Sequence, residues 1–268
     1  MPNTFLYLLT LAAYLGLAWH FRPVGQPGGR LLGVGRLLLF VPLLCHAYLL
    51  GQAVFPEAGM SLGLGSSLSA MAGLTALFYG IAVWYYPLSG MQSMVLLFAA
   101  FGLLMQWIMP ATSVVPDSGR LLFRLHMLMA FMAYGLFTIA ALHAVLIAVA
   151  EKHLHKPAPS RMVASLPPLL TLENLLFRMV EGGFLILSLT LFSGMFFSES
   201  IYGHAFPMTH MTVFGIASWL IYAALLTGRK FYGWRGRTAI FWTLAGFIAL
   251  LLAYVGVKFV LQVILHRA

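Results

Sequence analysis

Residues 219–256 read WLIYAALLTGRKFYGWRGRTAIFWTLAGFIALLLAYVG. An apolar run is followed by the basic turn GRKFYGWRGR, residues 228–237, and a second apolar run begins directly after it. Apolar runs of about 20 residues predict membrane-spanning helices, and short loops rich in lysine and arginine stay on the cytoplasmic side. This stretch therefore predicts a pair of transmembrane helices joined in the cytoplasm.

The composition extends this prediction to the whole chain, because 62% of its 268 residues are hydrophobic and only 8% are charged. Soluble domains carry about 25% charged residues, so a water-soluble fold is excluded. The formal net charge of +9 comes from basic residues in short loops between apolar runs. Nucleic-acid binding needs a basic patch on a soluble face. We therefore expect contact with a lipid bilayer and no nucleic-acid partner.

The apolar runs predict an all-α fold, a polytopic membrane helix bundle of about eight transmembrane helices within a single integral membrane domain, residues 1–268. The predicted spans are 3–21, 32–54, 68–86, 90–108, 121–150, 180–198, 208–227 and 239–261. Most lysines and arginines follow the first, fifth and seventh spans, so both termini are expected to be non-cytoplasmic. The longest cytoplasmic loop is predicted at 151–179, where an apolar segment after the prolines either lies on the membrane surface or simply connects two spans.

Catalytic groups are scarce in this sequence. Cys45 is the only cysteine, which excludes an internal disulfide and a Cys-x-x-Cys redox pair. The few carboxylates lie near the ends of the predicted spans, and no nucleophile lies beside a base. We therefore expect that the protein is not an enzyme.

Histidines are the strongest candidates for chemistry at membrane depth, because a polar side chain there needs a partner, water or a metal. His126 lies one turn into the fifth span and follows Arg124, while His46 and His210 lie in the outer parts of the second and seventh spans. An imidazole below a guanidinium suits a cofactor with an acidic edge, although lipid headgroups would satisfy the same pair. The three imidazoles either converge on one site for iron, zinc or copper, or each is an ordinary buried histidine. His126 and His210 are the predicted metal ligands, and His46 and Arg124 are further cofactor-binding candidates.

Four segments of the chain resemble one known family. They are RLH (124–126) with AYGL (133–136); LENLLFR (172–178) with GGF (182–184) and SG (193–194); SWLIYA (218–223); and GWRGR (233–237) with Tyr254 and Gly256 downstream. They are similar to the cytochrome c assembly proteins of the CcsA/CcmC type, most strongly over 121–260, and most of all to the YpjD-type inner-membrane branch. The resemblance implies a multi-pass, haem-handling protein of the bacterial inner (cytoplasmic) membrane, with His126 as an axial haem ligand.

Part of the family pattern is missing. Haem-delivering members carry a tryptophan-rich motif in the outer loop between the sixth and seventh spans, and a second external histidine further along. Here that loop reads ESIYGHAFP, residues 199–207, without a tryptophan, and residues 254–266 do not match the second histidine. His210, at the edge of the altered loop, is our candidate for the missing ligand.

The sequence thus predicts a membrane haem-binding protein that assists cytochrome c assembly or haem traffic. Haem b is the expected cofactor, and other membrane assembly proteins are the expected partners. One alternative is a haem-free membrane scaffold or regulatory protein, which the missing tryptophan motif permits. The other alternative is a permease for a metal or a small solute, which is weaker because few polar residues lie deep in the predicted spans.

Overall fold

A computed structural model describes residues 3–21, 37–56, 59–86, 91–111, 120–154, 166, 168–202 and 209–265, apart from the side chains of 153–154 and 197–202. Within these ranges the chain is helical and has no β-strand. Its helices are α1 Thr4–His20, α2 Phe40–Val54, α3 Leu64–Tyr85, α4 Gln92–Ile108, α5 Leu121–Leu154, α6 Leu169–Tyr202, α7 His210–Tyr232 and α8 Arg237–Leu251. The last helix continues through π-helical turns at Leu252–Gly256 and Val260–Ile264, with the α-helical segment Val257–Phe259 between them. We term residues 252–264 the α8 extension.

The predicted membrane helix bundle is confirmed. In the described part of the chain, five helices are long and apolar enough to cross a bilayer, namely Leu64–Tyr85, Leu121–Lys152, Leu169–Phe196, His210–Tyr232 and Arg237–Ile264. The other three helices are apolar but shorter, at 15 to 17 residues. Large hydrophobic side chains cover the outside of the bundle; Phe5 is 80% exposed and Phe241 is 67% exposed. Such a surface is stable in lipid and unstable in water.

Helices α5, α6, α7 and α8 pack in a ring in which each helix contacts the next. Helix α3 packs against α5 of this ring and also contacts α2 and α4, and α1 packs on α4 and α2. At the centre of the ring the side chains of Phe137 and Tyr222 stack with their centroids 3.9 Å apart. Gly183 and Gly246 make room for the stack, since a Cβ atom at either glycine would lie within 3.0 Å of one of the two rings. The centre of the ring is therefore filled by side chains, and no pore passes between these two residues.

The loop predicted at 151–179 is shorter in the structure. Helix α5 extends to Leu154, and α6 already begins at Leu169, so the apolar segment after the prolines is the first part of a spanning helix. Leu172 and Leu176 are 2% and 1% exposed, which places them in the core and not on the membrane surface. The prediction was wrong here because an apolar side chain suits a protein core and a lipid surface equally well.

The turn between α7 and α8 is fixed to the start of α6. We term this end of the bundle, with residues 228–237, the basic end, and the opposite end, where His126 lies, the histidine end. The Glu173 carboxylate accepts hydrogen bonds from Arg235 Nε and from the Gly236 N–H, both at 3.0 Å. Gly236 has φ +53°, a backbone conformation that residues with a Cβ atom rarely adopt. The Trp234 ring packs directly on Gly228. The turn is therefore fixed by this contact with α7 as well as by the hydrogen bonds to Glu173 on α6.

Replacing Glu173 with alanine is expected to lower the free energy of unfolding by about 1–3 kcal/mol, because two hydrogen bonds to a largely buried carboxylate are lost. Half of the Arg235 side chain is exposed, so solvent screening places the effect in the lower part of this range. The matched control is Arg237→Ala, which removes an exposed charge from the same turn and should change stability by less than about 0.5 kcal/mol. Thermal unfolding of the purified protein in detergent measures both changes. Equal melting temperatures for Glu173→Ala and the wild type would show that the contact does not stabilise the turn.

Candidate functional site

The His126 ring is oriented by a hydrogen bond across two helices. His126 lies on α5, partly buried, and its Nδ1 is 2.8 Å from Ser193 Oγ on α6. The Ser193 hydroxyl donates its own proton to the Thr190 carbonyl at 2.9 Å, so its oxygen is left to accept from the imidazole. When the hydroxyl proton goes to Thr190, the neutral ring donates from Nδ1 and its lone pair lies on Nε2. A histidine in this tautomer can ligate a metal through Nε2.

The adjacent glycine lets the His126 ring lie close to α6. A Cβ atom at Gly194 would lie 3.2 Å from His126 Cε1, which is tighter than an ordinary van der Waals contact. Ser193 and Gly194 therefore act together: the serine provides the acceptor and the glycine provides the space. This pair was part of the family resemblance, and the structure gives it a physical role.

Arg124 and His126 point to different sides of α5. The Arg124 side chain is exposed, and its guanidinium carbon lies 5.9 Å from the centroid of the Phe55 ring, just after the end of α2. Residues two positions apart on a helix do not face each other. The structure therefore does not bring the guanidinium and the imidazole together on one face.

His46 is a core residue with both ring nitrogens in use. It is 1% exposed; its Nδ1 lies 3.2 Å from the Tyr14 hydroxyl and its Nε2 lies 2.7 Å from Ser69 Oγ. Such contacts satisfy a buried imidazole without a metal. His143 is likewise fully buried, with its Nε2 2.9 Å from the Leu172 carbonyl oxygen. In this conformation neither histidine presents a ring nitrogen to a ligand.

His210 is the first residue of α7 and is exposed. Thr209 caps this helix, because its side chain accepts a hydrogen bond from the Thr212 N–H. Further along, Trp219 Nε1 donates to Ser188 Oγ at 2.8 Å and so joins α7 to α6, which runs in the opposite direction because only a short segment separates the two helices in sequence. Nine residues separate Trp219 from the start of α7, so α7 begins about one helical turn beyond the level of Ser193. His126 and His210 thus lie near the same end of the bundle, on α5 and α7, the two helices that flank α6.

The three candidate histidines do not form one metal centre. Among the side chains that the structure describes, no three of His, Cys, Asp and Glu come close enough to hold a metal ion together. The pair His126 and His210 stays a prediction. Residues 203–208, which hold most of the loop that departs from the family pattern, lie outside the described ranges.

Comparison with known proteins identifies the family. Residues 34–265 match the model of a family described as cytochrome c assembly protein. The inner membrane protein YpjD of Escherichia coli K12 is 29% identical over 96% of this chain and 98% of its own length. The cytochrome c biogenesis protein CcsA of Prochlorococcus marinus NATL1A is 33% identical over 32% of this chain and 28% of its own. No solved structure matches the chain significantly. With its membrane-bundle fold and a family match over most of its length, the chain belongs to the cytochrome c assembly protein family.

Proposed function

We propose that this protein binds haem b at the histidine end, with His126 Nε2 as an axial ligand of the iron, and that it assists cytochrome c assembly or haem traffic. The hydrogen bond between His126 Nδ1 and Ser193 Oγ carries this proposal, because a metal-ligating histidine is usually oriented by a hydrogen bond from its other ring nitrogen to an oxygen acceptor. Membership of the cytochrome c assembly family supports it. A relative over part of the chain, CcsA, is named for cytochrome c biogenesis.

His126, which Ser193 orients, is well suited to be one axial ligand, and we propose His210 as the second. The position of His210, exposed at the start of α7 and near the level of Ser193, supports this assignment. When bound, haem would supply an iron with two axial positions, and two imidazoles would fill both of them. The role we propose is therefore binding and transfer, without enzymatic turnover, and the partners are haem and other membrane assembly proteins. Arg124 stays a candidate for the haem carboxylates, although its guanidinium lies over Phe55.

We place the protein in the bacterial inner membrane with the histidine end and both termini outside the cytoplasm. The basic residues of the α7–α8 turn support this orientation, and the relative YpjD is described as an inner membrane protein. In a Cys45→Ser background, a membrane-impermeant maleimide should label Thr209→Cys in intact cells and should label Tyr232→Cys only after lysis. Both wild-type residues are exposed. The reverse labelling pattern would show that the histidine end faces the cytoplasm.

Haem titration of the purified protein in detergent tests the proposed function. We expect saturable binding of one haem per chain, with a Soret band of the six-coordinate, low-spin type that two nitrogen ligands produce. A protein that stays folded and gives no Soret shift would reject haem binding. That result would favour the haem-free scaffold, which the tryptophan-free loop at 199–207 permits.

A further inference from the structure

The side of α6 that faces away from the bundle carries one continuous row of exposed side chains. Between residues 174 and 196 the exposed residues of α6 recur at intervals of three or four, which places them on one face of the helix. They are Asn174, Arg178, Glu181, Leu185, Leu189, Phe192 and Phe196. We term this row the α6 stripe. Its polar part lies toward the basic end, and its apolar part lies toward the histidine end.

The α6 stripe has the polarity of a lipid molecule that stands along the helix. Its change from polar to apolar residues falls between Glu181 and Leu185, and such a change marks the edge of the hydrocarbon layer. From Leu185 to Phe196 the helix rises roughly 16 Å, half the thickness of a hydrocarbon layer of about 30 Å. The apolar part is therefore as long as the acyl chains of one leaflet, and the polar part lies at the level of their headgroups.

Arg229 on α7 is fixed beside the polar part of the α6 stripe. Its guanidinium carbon lies 4.6 Å from the centroid of the Phe177 ring, and its Nη2 donates to Asn174 Oδ1 at 3.2 Å. A longer contact of 3.5 Å joins Nη1 to the Trp234 carbonyl oxygen. These contacts use two of the five N–H groups of the guanidinium. In the described part of the chain no acceptor is bound by the other N–H groups of Arg229 or by the Asn174 amide nitrogen.

Arg178 supplies a second cation, one helical turn from Asn174. Its Nη1 donates to the Tyr86 hydroxyl oxygen at 3.0 Å, and its guanidinium carbon lies 5.8 Å from the centroid of the Tyr86 ring. Such contacts orient an arginine without neutralising its charge. Around α6, Asn174 lies between Phe177, which carries the Arg229 guanidinium, and Arg178. The two cations therefore flank the face on which Asn174 is exposed.

Neither guanidinium forms an ion pair with a described carboxylate. Glu173 is bonded to the turn between α7 and α8, and Glu151 approaches the same turn at Gly236. Glu181 is the remaining carboxylate at the basic end. The other three acidic residues adjoin the histidine end in the sequence, because they follow α2, precede α5 and lie in the last turns of α6. Two arginines and one glutamate thus give the polar part of the α6 stripe a net positive charge.

We propose that the polar part of the α6 stripe binds the phosphate of an anionic phospholipid, whose acyl chains lie along the apolar part. Arg229 and Asn174 are the fixed donors, and Arg178 is the second cation. Phosphate oxygens accept charge-assisted hydrogen bonds from guanidinium groups, and basic pockets between membrane helices suit anionic headgroups. A zwitterionic headgroup would bring a further cation to the two arginines, and an acidic protein segment would leave the apolar part uncovered. The site does not depend on haem and does not rest on the function proposed above.

Lipid titration followed by native mass spectrometry tests this site. The ligands are phosphatidylglycerol, phosphatidylcholine and diacylglycerol with the same acyl chains, and diacylglycerol has no phosphate. The wild type should bind one phosphatidylglycerol about tenfold more tightly than phosphatidylcholine. Arg178→Gln should weaken phosphatidylglycerol binding about tenfold, the effect of roughly one charge-assisted hydrogen bond, and should leave diacylglycerol binding unchanged. Arg178→Lys keeps the charge and should restore part of the affinity.

Two further variants serve as controls. Lys152→Gln removes an exposed cation from the end of α5, at the same end of the bundle but outside the α6 stripe, and should leave the affinity for phosphatidylglycerol unchanged. Glu181→Gln removes a negative charge next to the site and should strengthen phosphatidylglycerol binding. Arg178 and Glu181 are both exposed, so their variants should fold like the wild type.

Equal affinities of the wild type and Arg178→Gln for phosphatidylglycerol would overturn the site. An equal loss of affinity for diacylglycerol would also overturn it, because the effect would then not depend on the phosphate. A similar loss in Lys152→Gln would show that the net charge of the basic end attracts the lipid without a specific site. Weaker binding by Glu181→Gln, or equal binding of phosphatidylcholine by the wild type, would contradict the choice of an anionic headgroup. None of these results bears on haem binding.

Discussion

Replacing His126 with alanine should abolish the low-spin haem spectrum of the protein and lower its haem affinity by more than about a hundredfold. Loss of a group that merely orients a metal-binding histidine costs about 10–100-fold in affinity, so loss of the ligand itself should cost more. The fold should survive, because His126 is only partly buried. Haem titration with detection at the Soret band measures the change.

The matched control for this variant is His20→Ala, which removes an exposed imidazole at the end of α1. His20→Ala should bind haem like the wild type. Should His126→Ala retain the affinity and the spectrum of the wild type, His126 is not an axial ligand. In that case His210, which is exposed at the start of α7, becomes the leading candidate.

Replacing Ser193 with alanine should weaken haem binding by about 10–100-fold while His126 itself is unchanged. Without the serine oxygen, Nδ1 of His126 loses a hydrogen bond that orients the ring. The ring can then rotate or exchange its tautomer, and a smaller fraction of molecules presents a lone pair at Nε2. Ser193→Thr keeps a hydroxyl at this position and should restore part of the affinity.

Ser188→Ala is the control that separates this effect from a loss of helix packing. Ser188 lies on the same helix and accepts a hydrogen bond from Trp219, so its loss weakens the contact between α6 and α7. Ser188→Ala should lower the melting temperature and leave haem affinity unchanged. If Ser193→Ala changes stability only, in the same way as Ser188→Ala, then Ser193 is a packing residue.

The helices were predictable from sequence where a long apolar run has clear polar ends. The helices α7 and α8 and the basic turn between them follow from such a pattern, although the structure confines the turn to residues 233–236 because α7 continues to Tyr232. The start of α6 did not, because Leu172 and Leu176 are as apolar as a lipid-facing residue but lie in the core. Burial within a membrane bundle depends on which helices are neighbours, and hydrophobicity alone does not reveal this.

The candidate site was predictable only in part. His126 stays a predicted ligand, chosen from its position in the span and from the family resemblance, whereas its partner Ser193 is 67 residues away along the chain. His46 was a candidate because it also lies at membrane depth, and its contacts with Tyr14 and Ser69 show that it is a core residue. The residues around a histidine in the sequence do not predict whether both of its ring nitrogens will be hydrogen-bonded to hydroxyl groups in the fold, as those of His46 are.

Lys258 shows a further limit of reasoning from sequence. In the sequence it counts as one basic residue among those that set the topology. It lies on the same side of the helix as Tyr254 and Gln262, whose partners lie almost 200 residues earlier, at the start of α3. An intramembrane lysine is a signal for a functional site, and the fold is needed to show which face it occupies.

Chemical rescue of His126→Gly tests the central claim most directly. Glycine removes the ring and leaves space for a free imidazole beside Ser193 and Gly194. We predict that the variant loses the six-coordinate spectrum in detergent, and that added imidazole restores both the Soret position and tight haem binding, as free imidazole takes the place of the missing ring. A His126→Gly protein that shows the wild-type spectrum without added imidazole would contradict the claim that this side chain ligates the iron.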